Sequence, residues 1–131
     1  MTPDEQNRDD GDERAAAAIR DISEVAAVEV ITTAAVHLMS AAAVKCGLGA
    51  HEPSGARSGV PTEDEMDLAE ARVLIGALAG LVTAAAPDLG SQHAGALRDG
   101  LRTLQLAFRE ASVVPDPPGQ GPGEKLTGSV V

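Results

Sequence analysis

The sequence predicts an all-α fold: a three-helix bundle with a long first helix and disordered N- and C-terminal tails. Three observations predict it. Alanine dominates the apolar residues, and alanine has the highest helix propensity. Apolar residues recur at steps of three and four along three segments. Proline and glycine cluster between these segments and near the ends. We therefore expect helices over about 13–48, 62–86 and 91–112 within one helical domain, 13–113.

The first helix is predicted because residues 13–46 contain neither proline nor glycine. Residues 1–12, in contrast, are polar and acidic, and we expect them to be disordered. Gly47 and Gly49 are expected to end the helix, with Lys45 placed favourably in its last turn. The predicted buried stripe consists of Ile22, Val25, Val28, Ile31, Ala35, Leu38 and Ala42.

The second helix is expected to start at a capping box formed by Thr62 and Glu65. Its predicted buried stripe is Leu68, Ala71, Ile75, Leu78, Val82 and Ala85. Gly76 and Gly80 weaken the helix, but their four-residue spacing would let another helix approach closely. The Pro87–Gly90 stretch is expected to end it.

Ser91 is the predicted N-cap of the third helix, which has the clearest periodicity of the chain. Its predicted stripe is Leu97, Leu101, Leu104, Phe108 and Ala111. Prolines then end the helix, and residues 114–131 are rich in proline and glycine, which predicts a flexible tail. That tail could be a linear segment that orders on a partner, or plain disorder. The candidate interaction residues are Gly76, Gly80, Pro118, Gly119, Gly121, Pro122, Gly123, Glu124 and Lys125.

The composition excludes several classes of function. The net charge is −10, and no region is basic, so the chain lacks the charge that drives binding to nucleic-acid phosphates. A single aromatic residue cannot provide a stacking surface for bases. The single cysteine fits a reducing cytosol, and the acidic N-terminus is no secretory signal, which predicts a cytoplasmic protein.

A transmembrane segment is not expected. Only 15 uncharged residues lie between Glu29 and Lys45, whereas a span needs roughly 20. The aromatic residues typical of membrane interfaces are absent as well.

No catalytic residue, cofactor or metal is expected. His37 and Cys46 are nine residues apart on the predicted first helix, which places them about 13 Å apart along its axis. His51, His93 and nearby carboxylates such as Glu52 could support a small enzyme or a metal-dependent protein, but their spacing matches no metal motif. The acidic residues after Thr62 are typical of a helix start rather than a calcium loop.

Three segments in order resemble the actinobacterial branch of the DUF1844 family, a domain of unknown function. They are EVAAVEVITTAAVHLMSAAAVKCGL, DLAEARVLIGALAGLVTAAAPDLGSQHAGALRDGLRTLQLAFREAS and PGQGPGEKLTG. The resemblance covers about residues 18–127. It implies a small helical cytosolic protein without assigned catalytic residues. Genes of this branch often neighbour those for translation initiation factor three and two ribosomal proteins, which implies a link to translation.

The function expected from the sequence is a non-enzymatic protein-interaction or accessory module, for which the family resemblance implies a link to translation and a ribosome-associated partner. A core of small residues buries little surface, so we expect a homo-oligomer, with a dimer favoured. The dimer would use the Ala-rich flank of the first helix or the Gly76/Gly80 face. The alternatives are the small enzyme described above and a peripheral membrane protein.

Overall fold

The computed structural model describes residues 11–14, 25–48 and 66–131. Four helices have defined bounds: α1 (Ala27–Lys45), α2 (Leu68–Leu89), α3 (Ser91–Ala111) and α4 (Glu124–Thr127). Residues 11–14 are also helical, and the described part of the chain contains no β-strand. The predicted all-α class is therefore confirmed. The chain divides into two compact units, Met1–Val30 and Ile31–Val131.

The first helix is not continuous over 13–48. Val25 and Ala26 are not helical, and the Ala26 carbonyl accepts the first bonds of α1, from Glu29 at 3.0 Å and Val30 at 3.2 Å. Five of the six residues over 28–33 are β-branched, and this branching lowers helix propensity around the break. Residues 15–24, which include Ile22 of the predicted stripe, lie outside the described residues.

The end of α1 follows the prediction. The amide of Gly47 donates to Val44 at 3.0 Å, and the amide of Leu48 donates to Ala43 at 2.9 Å. This pair of bonds is the Schellman motif that commonly ends helices. Within α1, Ala35 and Ala42 are buried, whereas Ile31 and Leu38 are half-buried.

The start of α2 differs from the prediction. Asp67 caps the helix, and its carboxylate accepts a hydrogen bond from the Glu70 amide at 3.1 Å. The predicted cap at Thr62 lies outside the described residues. The helix also continues through Pro87 to Leu89, although proline lacks the N–H that would bond to the carbonyl four residues earlier. The stripe from Ala71 to Ala85 is buried as predicted, and Ala79 and Leu89 join it.

Gly90 alone connects α2 to α3, so the two helices form a tight hairpin. It has φ +80° and ψ 155° and occupies the N-cap position that the sequence suggested for Ser91. Its carbonyl accepts the first bond of α3, from Ala94 at 3.0 Å. This backbone conformation is essentially confined to glycine.

We expect Gly90→Ala to destabilise the protein by about 1–3 kcal/mol, because alanine is strained at this φ and ψ. Urea denaturation measures the loss. Gly95→Ala is the matched control: Gly95 is inside α3, and an added Cβ there meets no atom within 4 Å. The control should stabilise the helix by up to about 1 kcal/mol. If both variants had the same urea midpoint, the conclusion that the connection requires glycine at position 90 would be wrong.

The buried face of α3 contains Leu97, Leu101, Leu104 and Phe108, as the sequence predicts. Ala111 is half-buried. Two further residues, Ala94 and Gln105, are buried on this helix. Because Gln105 is polar, the periodicity of apolar residues did not predict its burial.

The C-terminal tail is ordered, and the prediction of disorder over 114–131 is wrong. Residues 116–130, here called the C-terminal clasp, contain the short helix α4 and pack against α2. Side chains of α2 and α3 hold the clasp by hydrogen bonds to its backbone and side chains. These bonds supply the order that the poor apolar content of the segment would not provide.

Candidate functional site

The Glu124 carboxylate organises the C-terminal clasp from within. Although charged, Glu124 is buried, with 7% of its surface exposed. One carboxylate oxygen accepts a hydrogen bond from the Gly121 amide, and the other accepts one from the Val130 amide at 3.0 Å. A buried carboxylate is stable only with such partners. Glu124 therefore joins the two ends of the segment 121–130.

Gln105 connects the clasp to α3. Its side-chain nitrogen donates to the Pro122 carbonyl at 3.0 Å and to the Thr127 hydroxyl at 3.1 Å. The Thr127 hydroxyl in turn donates to the Gly123 carbonyl at 3.2 Å. Both N–H groups of the amide are thus used. Among the described residues, no buried side-chain nitrogen or oxygen lacks a hydrogen-bond partner.

Two arginines hold the start of the clasp at Asp116. Arg109 of α3 donates to the Asp116 carbonyl at 2.8 Å. Arg72 of α2 forms an ion pair with the Asp116 carboxylate at 2.9 Å, and its guanidinium carbon lies 4.9 Å from the centre of the Phe108 ring. The pair is partly exposed to solvent, so it contributes at most about 1 kcal/mol. Its main effect is to fix where the clasp meets the hairpin.

Gly123 allows the closest approach of the clasp to α2. It has φ +75°, and an added Cβ would lie 2.6 Å from the Ala79 Cβ and 3.2 Å from the Gln105 side-chain nitrogen. No side chain fits there without displacing atoms of the hairpin. The backbone at Gly123 consequently lies directly on the Ile75–Ala79 surface.

The structure therefore brings the predicted interaction residues of the tail together, within the chain itself. Pro122 and Glu124 are buried; Gly119, Gly121 and Gly123 are half-buried; Pro118 and Lys125 are exposed. The sequence did not identify the hairpin residues that hold the clasp: Gln105, which bonds to Pro122, and Arg72 and Arg109, which bond to Asp116. Gln105 carried a signal, because a polar residue on an apolar helix stripe must find hydrogen-bond partners.

Gly76 and Gly80 belong to a different surface. Both are half-buried, and an added Cβ at either would meet no atom within 4 Å. Exposed apolar side chains flank them, with Val73 67% exposed. Together they form an uncharged strip on α2, here called the small-residue face: Ala69, Val73, Gly76, Ala77, Gly80 and Ala84.

The residues of the enzymatic alternative are not brought together in the part of the chain that the structure describes. His51 and Glu52 lie outside it, and His93 is exposed at the start of α3. His37 is exposed on α1. Among the described residues, no three His, Cys, Asp or Glu side chains are placed to hold a metal ion. Burial raises the pKa of the Cys46 thiol, which keeps it in the less reactive protonated form.

Two of the described helices are long and apolar enough to cross a membrane. Each of α1 and α2 reaches a mean hydropathy of 1.6, with 11% and 33% of the respective segments buried. The core helices of soluble proteins meet the same criterion, so length and composition alone do not identify a span.

The comparison with protein families agrees with the resemblance seen in the sequence. No curated protein and no solved structure matches the chain. The family described as "Domain of unknown function (DUF1844)" matches residues 27–110, which include α1, α2 and nearly all of α3. This match covers more than half of the chain, and the chain belongs to the DUF1844 family.

Proposed function

We propose that the protein is a non-enzymatic protein-interaction module of the cytoplasm, and that its first partner is a second copy of the chain. The observation that carries this proposal is the small-residue face of α2. This face is apolar and exposed on a helix whose opposite side forms the core. Exposed apolar surfaces of this kind typically mark interaction sites.

The geometry of the face suits another helix. Glycines at 76 and 80 leave open space above the backbone, and helix axes can approach to about 8 Å where the contact residues are small. The absence of charged residues favours a copy of the same face, since nothing would be buried without a counter-charge. A twofold pair of α2 helices would also add the burial that the small core lacks.

The test is the oligomeric state of Gly80→Leu. An added Cβ at Gly80 meets no atom within 4 Å, so we expect the monomer to accept leucine, whereas the added side chain would separate two closely packed helices. We expect sedimentation equilibrium to show a dimer for the wild type and at least about tenfold weaker association for the variant, a loss of 1.4 kcal/mol or more.

Gly95→Leu is the matched control for this experiment. Gly95 is also a half-buried helical glycine with open space, but it lies on α3. It should leave the association constant unchanged. A monomeric wild type, or equal association of the two variants, would contradict dimerisation through the small-residue face.

We further propose that α1 is the third member of a bundle with the α2–α3 hairpin. Two contacts support this arrangement. The Asp67 amide donates to the Lys45 carbonyl at 2.9 Å, which joins the start of α2 to the end of α1. An added Cβ at Gly100 of α3 would lie 2.7 Å from the terminal methyl of Met39, so this α1 side chain packs on α3.

A ribosomal partner is proposed from the family resemblance and its implied link to translation. The full chain would be sedimented through a sucrose gradient after gentle cell lysis. Movement with ribosomal subunits, lost at high salt, would support the proposal. Residence only at the top of the gradient would contradict a stable ribosomal partner.

Peripheral membrane association is the second candidate, because α1 exposes Val30 and Val36 and is only slightly buried. The net charge of the whole chain, −10, opposes binding to anionic lipid. Recovery of the full chain with membranes, resistant to salt washing, would favour this candidate over a soluble dimer.

A further inference from the structure

A groove lies where the hairpin and the C-terminal clasp meet. The groove is open to solvent on one side and offers a volume of about 360 Å³, at the lower end of the range of small-molecule sites, about 300–1,000 Å³. Val82 and Leu101 lie beneath its floor but are almost fully covered, so its accessible apolar surface comes mainly from Leu126, which is 55% exposed. One wall is the exposed side of α3, and the other is formed by the clasp residues from Leu126 to Val130.

The side chains of Gln105, Thr127 and Ser129 in the groove are already paired within the protein. The amide nitrogen of Gln105 bonds to Pro122 and Thr127. The Ser129 hydroxyl donates to the Val131 carbonyl at 2.8 Å and accepts from its amide at 3.3 Å. Recognition of a ligand therefore depends on the charged side chains of the α3 wall.

Three charged residues line this wall: Arg98, Asp99 and Arg102. Arg98 forms no ion pair or hydrogen bond with any other described residue. Arg102 donates once, to the Val130 carbonyl at 3.4 Å, so most of its five N–H donors are free. Residues four apart share one helix face, and the two guanidinium groups therefore lie over the same groove.

We propose that this groove binds a small organic anion with a short apolar portion. The two guanidinium groups would hold the anionic head by charge-assisted hydrogen bonds, and the apolar portion would contact the exposed side chain of Leu126. Asp99 adds one negative charge beside them, so the wall has a net charge of +1. A singly charged head such as a carboxylate fits this balance better than a doubly charged phosphate. The groove offers no aromatic ring on which a nucleobase could stack.

The test uses the full chain, labelled with ¹⁵N, and two probes: hexanoate and butyl phosphate. We expect hexanoate to give saturable shifts of the amides over 98–102 and 128–130, and butyl phosphate to bind more weakly. 1-Hexanol tests whether the apolar portion alone suffices. No saturable shift with either anion, or equal affinity for the alcohol, would overturn the proposal.

Two charge-neutralising variants separate a specific site from general attraction. Arg98→Gln should weaken hexanoate binding at least about tenfold, the effect of losing one charge-assisted hydrogen bond. Lys125→Gln is the matched control, because Lys125 is an exposed cation of the clasp that does not line the groove. An equal loss in both variants would show non-specific attraction and overturn the proposed site.

The groove also requires the clasp to be in place, since residues 126–130 form one wall. A variant that releases the clasp should therefore abolish binding even though both arginines remain. Retention of hexanoate affinity in such a variant would contradict the location of the site.

Discussion

Gly123→Ala is expected to release the C-terminal clasp while the α2–α3 hairpin stays folded. Alanine at φ +75° costs about 1–2 kcal/mol in backbone strain. Its Cβ would also lie 2.6 Å from that of Ala79, and α2 cannot move away without disturbing the core. When the clasp leaves the hairpin, both the backbone strain and the close contact with Ala79 disappear. The variant therefore loses no more free energy of unfolding than the docked clasp contributes. Amide hydrogen exchange at Val130, whose N–H donates to Glu124, reports the release.

Gly119→Ala separates the two causes. Gly119 has φ +82°, but an added Cβ there meets no atom within 4 Å. This variant should have the backbone strain without the close contact. The Val130 amide should therefore stay protected from hydrogen exchange. If Gly123→Ala also left that amide protected, the close approach between Gly123 and Ala79 would not be what positions the clasp.

Leu101→Ala is expected to have the largest effect on global stability. Leu101 is 1% exposed, and it packs in the hairpin core beneath the groove floor. Truncation of such a leucine costs about 2–5 kcal/mol, with the value set by how far the surroundings collapse into the cavity. The urea midpoint should fall accordingly.

Val113→Ala is the control for this measurement. Val113 is 98% exposed in the linker between α3 and the clasp, and its truncation should change stability by no more than about 0.5 kcal/mol. If the two variants had the same midpoint, the assignment of Leu101 to the core would be wrong.

The hairpin could be predicted from the sequence because its signals agree with one another. Leu97, Leu101, Leu104 and Phe108 repeat with the helical period, and all four are buried. The stripe from Ala71 to Ala85 behaves in the same way. Where period, propensity and composition favour the same structure, tertiary contacts do not override them.

The clasp could not be predicted by the same reasoning. Its order depends on hydrogen bonds between residues distant in sequence, such as Gln105 with Pro122 and Arg72 with Asp116. Apolar periodicity does not detect such bonds, and composition rich in proline and glycine suggests disorder. Glu124 was noted as an interaction residue, but its partners proved to be amides of its own segment.

The break before Ala27 shows a different limit. Alanine-rich sequence favours helix on both sides, and no proline or glycine marks the interruption at Val25 and Ala26. The local run of β-branched residues is a weak signal beside the strong average propensity. A helix boundary without a breaker residue is difficult to place from propensity alone.

The single-residue connection at Gly90 also has a consequence for how the chain folds. Contacts between α2 and α3 near Gly90 join residues close in sequence, so they form with little loss of loop entropy and can extend outward from the connection. Topologies dominated by such local contacts fold within microseconds to milliseconds. The clasp must instead bring residue 116 to residue 72, across both helices. We therefore expect the hairpin to form first and the clasp to close on it in a later kinetic step.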